Sequence, residues 1–124
     1  MLRAIRRSLP ESSARRLLRQ IRPHIDRILA VPPGNLLLNR YDPLFRAASA
    51  RCAAMYRNPA ETSVGRVAAV AGVLYQIRCN LIHGSKDPDE PRDRMLVQET
   101  ASVLRLLVPM LEQAMTDRSV RAAG

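Results

Sequence analysis

The sequence predicts an all-α fold, an antiparallel bundle of four helices that leaves room for a fifth. Composition is one reason. Ala, Leu and Arg dominate, while aromatic residues make up only 3% of the 124-residue chain, a balance that favours helices over a sheet. The other reason is that apolar residues recur every three or four positions along stretches bounded by prolines or glycines. Because 47% of the residues are apolar, we expect a single domain, residues 1–124, with one hydrophobic core.

The first predicted helix runs from about Glu11 to Ala30. Ser8 and Pro10 are typical of a helix start, and Pro23 predicts a kink or a break inside the helix. The opening stretch "MLRAIRRSLPESSARRLLRQ" is Arg-rich and poor in acids, as mitochondrial targeting segments are. Its periodicity continues to residue 30, so we interpret it as part of a basic first helix. The apolar stripe of this helix consists of Leu17, Leu18, Ile21, Ile25, Ile28 and Leu29.

Two further helices follow the loop "VPPGN". The second is predicted from about Pro43 to Arg57, with Asp42 as its N-cap. The third spans about Ala60 to His83, where Gly84 provides a stop in left-handed geometry. Short breaks rich in proline separate these helices, which favours antiparallel packing of neighbours.

The fourth predicted helix begins near Pro91 or Arg92 and ends at about Met115. A frayed tail is expected from about residue 116, and Pro109 predicts a kink. The apolar stripe of this helix consists of Val97, Thr100, Ala101, Leu104, Leu107, Val108 and Leu111.

Charge is distributed unevenly along the chain. The net charge is +9, and residues 1–60 carry all of this excess, with 12 basic and 3 acidic side chains against 8 and 8 in residues 61–124. Such asymmetry predicts a polyanionic partner, either nucleic acid or an acidic protein. A solvated basic face without a partner is the alternative. The candidate binding residues on the first helix are Arg15, Arg16 and Arg19.

Membrane and metal chemistry are not indicated. The chain has no run of about 18 apolar residues, so no membrane span is expected. Cys52 and Cys79 make neither a disulfide framework nor a metal site. We therefore predict no metal and no cofactor, and a reducing cytoplasmic location.

The third helix carries an arginine among its apolar positions. At about 100° per residue, Arg78 lies about 320° around from Val64, close to the direction of Leu74. A guanidinium there needs a carboxylate, carbonyl groups or a bound anion, and the alternative is a side chain that reaches solvent near the helix end. His83 lies about 140° further around. A histidine in the last turn is favoured in its protonated form by the helix dipole, which suits acid–base chemistry, and a helix-capping role is the alternative. His24 is interpreted as a surface residue.

The string "RCNLIH" followed by "GSKDPDEPRD" resembles the signature of the HEPN superfamily, an arginine and a histidine separated by four to six residues. The preceding "VLYQIR" and the Gly, Lys and Arg-Asp that follow are similar to a bacterial branch of ribonucleases and toxins. The resemblance is specific over about residues 70–108.

The resemblance implies an all-α bundle that dimerises and a metal-independent endoribonuclease of a toxin–antitoxin or phage-defence system. Arg78 and His83 match the catalytic arginine and histidine of the motif, and a nucleotidyltransferase-like antitoxin is the implied cognate partner. Many family members have a polar residue directly after the arginine, whereas this chain has Cys79. A catalytically inactive HEPN-type module that binds a protein or a nucleotide is therefore the alternative function. Residues implied in binding or orienting the RNA are Asn80, Lys86 and Arg92.

A two-fold homodimer through the third helix, residues 60–84, is expected on physical grounds as well. Val73 and Ile77 lie away from the main apolar direction, so a second surface is needed to cover them. We expect that surface to be a second copy of the chain, with His83 near the two-fold axis, although small-residue stripes more often pack within one chain. The small residues that would allow close approach are Gly65, Gly72 and Cys79.

Overall fold

A computed structural model describes residues 2–30, 51–82 and 91–123. These residues form an all-α bundle without a strand, which confirms the predicted fold class. The predicted start of the second helix lies outside these residues, whereas its predicted end at Arg57 is confirmed. The helices are α1 (Leu2–Ser8), α2 (Glu11–Ala30), α3 (51–57), α4 (Ser63–Ile82) and α5 (Pro91–Ala123).

Helix α1 is a separate short helix, so the interpretation of the opening stretch as one continuous basic helix is wrong. Pro10 has no N–H to continue the helical hydrogen bonds, and α1 ends at Ser8. Leu9 still donates its N–H to the Ile5 carbonyl at 3.0 Å, and Ala14 donates to the Pro10 carbonyl at 2.9 Å. Ile5 and Leu9 are buried, and α1 packs against α4 and α5.

Helix α2 has the predicted bounds and continues through Pro23 without a break. A proline inside a helix costs about 3 kcal/mol or more. Ile21 and Ile25 on either side are fully buried, and burial of one such side chain contributes about 1.5–3 kcal/mol. Packing on both sides of the proline therefore offsets its cost. The predicted stripe is buried except for Leu29, which is partly buried.

Helix α4 is buried around its whole circumference near its middle. Residues 67–71 are all buried, as expected for a helix that lies at the centre of a bundle. Helices α1 and α2 pack against it, and Val73 and Ile77 are 0% and 1% exposed within one chain. The buried surface of α4 is therefore wider than the one apolar direction predicted near Leu74, although the neighbouring Tyr75 is 58% exposed.

The start of α4 is fixed by two oxygen acceptors. The helix begins at Ser63, later than the predicted residue 60. Thr62 Oγ1 accepts a hydrogen bond from the N–H of the third helical residue at 3.0 Å, which makes it the N-cap. The Glu11 carboxylate accepts from the N–H groups of Ser63 at 3.1 Å and Val64 at 2.9 Å. A negative charge at this position also interacts favourably with the helix dipole.

Helix α5 continues to Ala123, beyond the predicted end at Met115. The prediction ended the helix where its apolar stripe ends. Residues 116–122 are all exposed, so the helix continues beyond the part that packs in the core. Fraying of the tail stays a prediction. Of the predicted stripe, Val97 and Val108 are exposed instead of buried. The buried apolar residues of α5 are Leu96, Val103, Leu107, Leu111 and Ala114.

Side-chain contacts establish the directions of the helices. His24 and Arg27, late in α2, contact Glu99, early in α5, whereas Arg16, early in α2, lines a groove with Arg105 further along α5. Helices α2 and α5 are therefore antiparallel, as predicted. No helix in the described ranges is long and apolar enough to cross a membrane.

Candidate functional site

The motif residues fall at the junction between α4 and α5. Arg78 and Asn80 are in the last turns of α4, and Arg92 is in the first turn of α5. His83 and Lys86 lie outside the described residues. Arg78 follows Leu74 by four residues and Ala71 by seven, and both of these residues are buried. Arg78 also follows the exposed Tyr75 by three residues, and residues at both spacings share one side of a helix, so the placement of Arg78 on the apolar side stays a prediction.

The candidate RNA-binding arginines form part of an exposed basic face on α2. Arg15, Arg16 and Arg19 are all exposed. Arg15, Arg19 and Arg22 follow one another at spacings of four and three residues, so they share one side of the helix. None of the described carboxylates lies within salt-bridge distance of Arg15, Arg16 or Arg19.

The acids near this basic face are occupied by structural contacts. Glu11 binds the start of α4. Asp26 accepts a hydrogen bond from the Tyr56 hydroxyl at 3.1 Å. Glu99 binds two side chains of α2. Arg27 is therefore paired with Glu99, whereas Arg15, Arg16 and Arg19 form no salt bridge with these carboxylates.

A cluster of His24, Arg27 and Glu99 joins α2 to α5 and was not predicted from the sequence. His24 Nδ1 donates to Glu99 Oε2 at 2.6 Å, and Arg27 Nη1 donates to Glu99 Oε1 at 2.8 Å. Burial opposes ionisation of Glu99, but the hydrogen bonds and charges of His24 and Arg27 outweigh it and lower the pKa of this carboxyl below its ordinary value. His24, interpreted from the sequence as a surface residue, is half-buried in this contact. Its position three residues before Arg27, on the same side of α2, was the available signal.

Tyr56 links three helices. Its hydroxyl donates to Asp26 of α2, its carbonyl accepts from Arg66 Nε of α4 at 2.7 Å, and the Arg66 guanidinium carbon lies 5.6 Å from the centre of its ring. Burial, together with the charge and the hydrogen bond of Asp26, raises the pKa of Tyr56 to about 12. These contacts make Tyr56 a structural residue of the bundle.

The basic face and the motif lie at different heights of the bundle. Arg16 lines the same groove as Arg105, and Arg92 precedes Arg105 by thirteen residues on α5, or about 20 Å along the helix axis. The structure therefore does not bring the candidate binding residues of α2 next to Arg92. Among the described residues, no group of three or more His, Cys, Asp or Glu side chains could hold a metal ion.

The apolar surface of residues 60–84 that was expected to need a second copy of the chain is covered within one chain. Val73 and Ile77 need no second copy, because one chain already buries them. Gly72 allows close approach of α3, since a Cβ added there would lie 2.5 Å from Cys52 Sγ. The stripe of small residues thus packs within the chain at this position, which was the alternative interpretation.

Comparison of the chain with protein-family models, with curated proteins and with solved structures finds no match. The HEPN resemblance therefore depends on the motif residues themselves.

Proposed function

We propose that the protein is a metal-independent endoribonuclease in which Arg78 and His83 act on the scissile phosphate. The observation that carries the proposal is an arginine four residues after the buried Leu74 of a central helix, followed by a histidine five residues later. An arginine at such a position costs free energy unless an anion or another partner compensates it. The all-α architecture and the two residues together agree with the resemblance to HEPN ribonucleases.

The proposed reaction needs no metal because the RNA supplies its own nucleophile. The 2′-oxygen attacks the adjacent phosphorus, the bond from phosphorus to the 5′-oxygen breaks, and the products carry a 2′,3′-cyclic phosphate and a 5′-hydroxyl. His83 removes the proton from the 2′-hydroxyl or gives one to the leaving 5′-oxygen. Arg78 stabilises the charge that grows on the phosphoryl oxygens. Asn80, Lys86 and Arg92 bind or orient the strand.

The exposed arginines of α2 hold the RNA away from the reacting phosphate. Their level lies about 20 Å from Arg92 along the α5 axis, so only an RNA long enough to span that distance reaches both. RNA shorter than this length loses the contacts to Arg15, Arg16 and Arg19. Longer RNA gains affinity that falls steeply with salt, because each phosphate contact releases counterions.

A cleavage assay with end-labelled RNA tests the chemistry. Arg78→Ala and His83→Ala each abolish cleavage, whereas Arg118→Ala, which removes an exposed arginine late in α5, does not. Chelator leaves the rate unchanged, and the product ends are cyclic phosphates. Unfolding curves of all variants identify any loss caused by misfolding. Cleavage that requires a divalent metal, or normal cleavage by His83→Ala, contradicts the proposal.

A second assay tests the basic face separately from the chemistry. Neutralising Arg15 and Arg19 together removes two phosphate contacts, so the slope of log affinity against log salt decreases by about 1.4 for single-stranded RNA. The double variant Arg57→Ala and Arg118→Ala has the same net charge and keeps the slope. Reversing the charge of Arg15, Arg16 and Arg19 weakens binding to all RNA sequences alike. Equal slopes for the two double variants would remove α2 from the RNA-binding surface.

A catalytically inactive binding module is the second candidate function, and Cys79 favours it. Many family members have a polar residue at this position, and its replacement by cysteine removes a strong hydrogen-bonding group. A protein that binds RNA or a partner without cleaving RNA, and whose expression does not arrest cell growth, would support this candidate. Growth arrest that His83→Ala relieves would support a toxin or defence effector instead.

The homodimer and the nucleotidyltransferase-like antitoxin remain part of the proposal. Tyr75, an exposed aromatic residue on α4 three positions before Arg78, offers a contact for a second copy. Gly72→Trp is not a suitable test, because the new side chain collides with Cys52 inside the chain. Tyr75→Asp changes only an exposed side chain, so it should convert a dimer to a monomer without unfolding it. A wild-type monomer at micromolar concentration that still cleaves RNA would refute dimerisation.

A further inference from the structure

We propose that a groove between the start of α2 and the second half of α5 binds an acidic amphipathic helix of a partner protein. The groove has a volume of about 580 Å³ and is partly open to solvent. It shares Arg16 with the basic face of α2 but lies apart from the ribonuclease motif, and the proposal does not depend on that activity. Two parallel rows of α5 side chains line it. The outer row is Arg105, Pro109, Gln113, Asp117 and Arg121, and the inner row is Leu106, Met110 and Ala114.

The shape of the groove suits a helix. Each row repeats every four residues, and the outer row extends over about 24 Å of the α5 axis. Rows at this spacing form the grooves into which the corresponding rows of a second helix pack. A partner helix of about sixteen residues would fill this length, with apolar side chains on one side as in other helix-in-groove complexes.

The chemistry of the groove defines the charge of the partner. Leu106 and Met110 are half-buried and Ala114 is buried, so the floor is apolar. Arg105 stands at one end, Arg121 at the other, and both are exposed. Arg16 adds a third arginine from α2. An apolar floor between cationic ends fits a helix with an apolar stripe and acidic residues beside it.

The same lining disfavours a nucleic acid. Single strands bind through bases stacked on aromatic side chains, and none of the residues that line this groove is aromatic. Asp117 lies in the outer row, where Gln113 Nε2 donates to its Oδ1 at 2.9 Å. A carboxylate held along the groove repels a phosphate backbone but tolerates a helix whose acidic residues lie at the arginines. Leu and Met side chains instead suit the aliphatic residues of a protein.

Titration with a synthetic helical peptide tests the proposal. The probe is an eighteen-residue peptide, stabilised as a helix, with leucines every three or four positions and glutamates beside them. Backbone amide shifts of the full chain should change only along this groove. Arg105→Ala and Arg121→Ala should each weaken binding about three- to fivefold and together about tenfold or more, as expected for exposed ion pairs. Arg94→Ala, an exposed arginine of α5 outside the groove, should leave binding unchanged.

Controls on the peptide and on the floor separate charge from apolar contact. A peptide with lysine for every glutamate, and one with serine for every leucine, should not bind. Met110→Gln should weaken binding without affecting RNA cleavage. Equal binding of the lysine peptide, or equal losses in Arg94→Ala and Arg105→Ala, would overturn the proposal. So would a dimer that forms through the groove and is lost in Arg105→Ala.

Discussion

Replacing Gly72 by alanine should destabilise the protein, and the same change should stabilise it when Cys52 is also alanine. An added Cβ would lie 2.5 Å from Cys52 Sγ but 3.6 Å from Cys52 Cβ. Overpacking of a core costs about 1–3 kcal/mol, whereas alanine is favoured over glycine inside a helix by about 1 kcal/mol. The net loss in the wild-type background is therefore about 1 kcal/mol. Without Sγ, in the Cys52→Ala background, the added Cβ makes an ordinary contact, so Gly72→Ala stabilises the protein by about 1 kcal/mol. The coupling free energy between the two substitutions is therefore about 2 kcal/mol.

Urea unfolding of the wild type, both single variants and the double variant measures this coupling. A coupling free energy of about 2 kcal/mol corresponds to a difference of about 1 M urea between the midpoint shifts that Gly72→Ala causes in the two backgrounds. Gly65→Ala in the same helix is the control, because its nearest neighbour is the flexible Glu61 side chain, which can move aside. A coupling below about 0.5 kcal/mol, or stabilisation by Gly72→Ala alone, would refute the close contact of α3 and α4. It would also return the small residues of α4 to the list of candidate dimer contacts.

Three further predictions concern the contacts that fix the bundle. Glu11→Ala should destabilise the protein by about 2 kcal/mol, because it removes two hydrogen-bond acceptors and a negative charge from the start of α4, whereas Glu112→Ala, at an exposed carboxylate of α5, should cost much less by thermal unfolding. Glu99→Gln should reduce stability near pH 7 and make no difference in strong acid. The lowered pKa of Glu99 contributes stability above its ordinary value of 4.5, and this contribution is lost as the pH falls through the folded-state pKa, so urea midpoints measured from pH 7 to pH 3 should converge. Tyr56 should ionise at about 12 in an absorbance titration, and Asp26→Asn should lower that pKa. Its raised pKa contributes stability that is complete below the ordinary value of 10 and lost above about 12, so a normal titration of Tyr56 would contradict the buried contact.

The candidate site was only partly accessible from the sequence. The spacing of Arg78 and His83 and the exposed arginines of α2 are local patterns, and the positions of Arg15, Arg16 and Arg19 on an exposed face follow from helical periodicity alone. The spacing of His24 and Arg27 is a local pattern, but their partner Glu99 lies 75 residues from His24 in the chain, so no local pattern predicts that contact. The groove beside α5 likewise forms only where α2 packs against α5, so the two rows of α5 side chains that line it do not by themselves predict a site.

Helix α4 separates most clearly what the sequence determined from what the tertiary structure decided. Its apolar residues, small residues and terminal motif were sufficient to predict a helix, because backbone preferences and periodicity are local properties. They were not sufficient to predict what covers Val73 and Ile77, since an apolar surface is buried equally well by the same chain or by a second copy. The unpredicted helix α1 and the approach of Cys52 to Gly72 surround α4 within one chain. Its first residue was likewise decided by the distant Glu11 carboxylate, because unpaired N–H groups at a helix start bind whichever acceptor the fold brings to them.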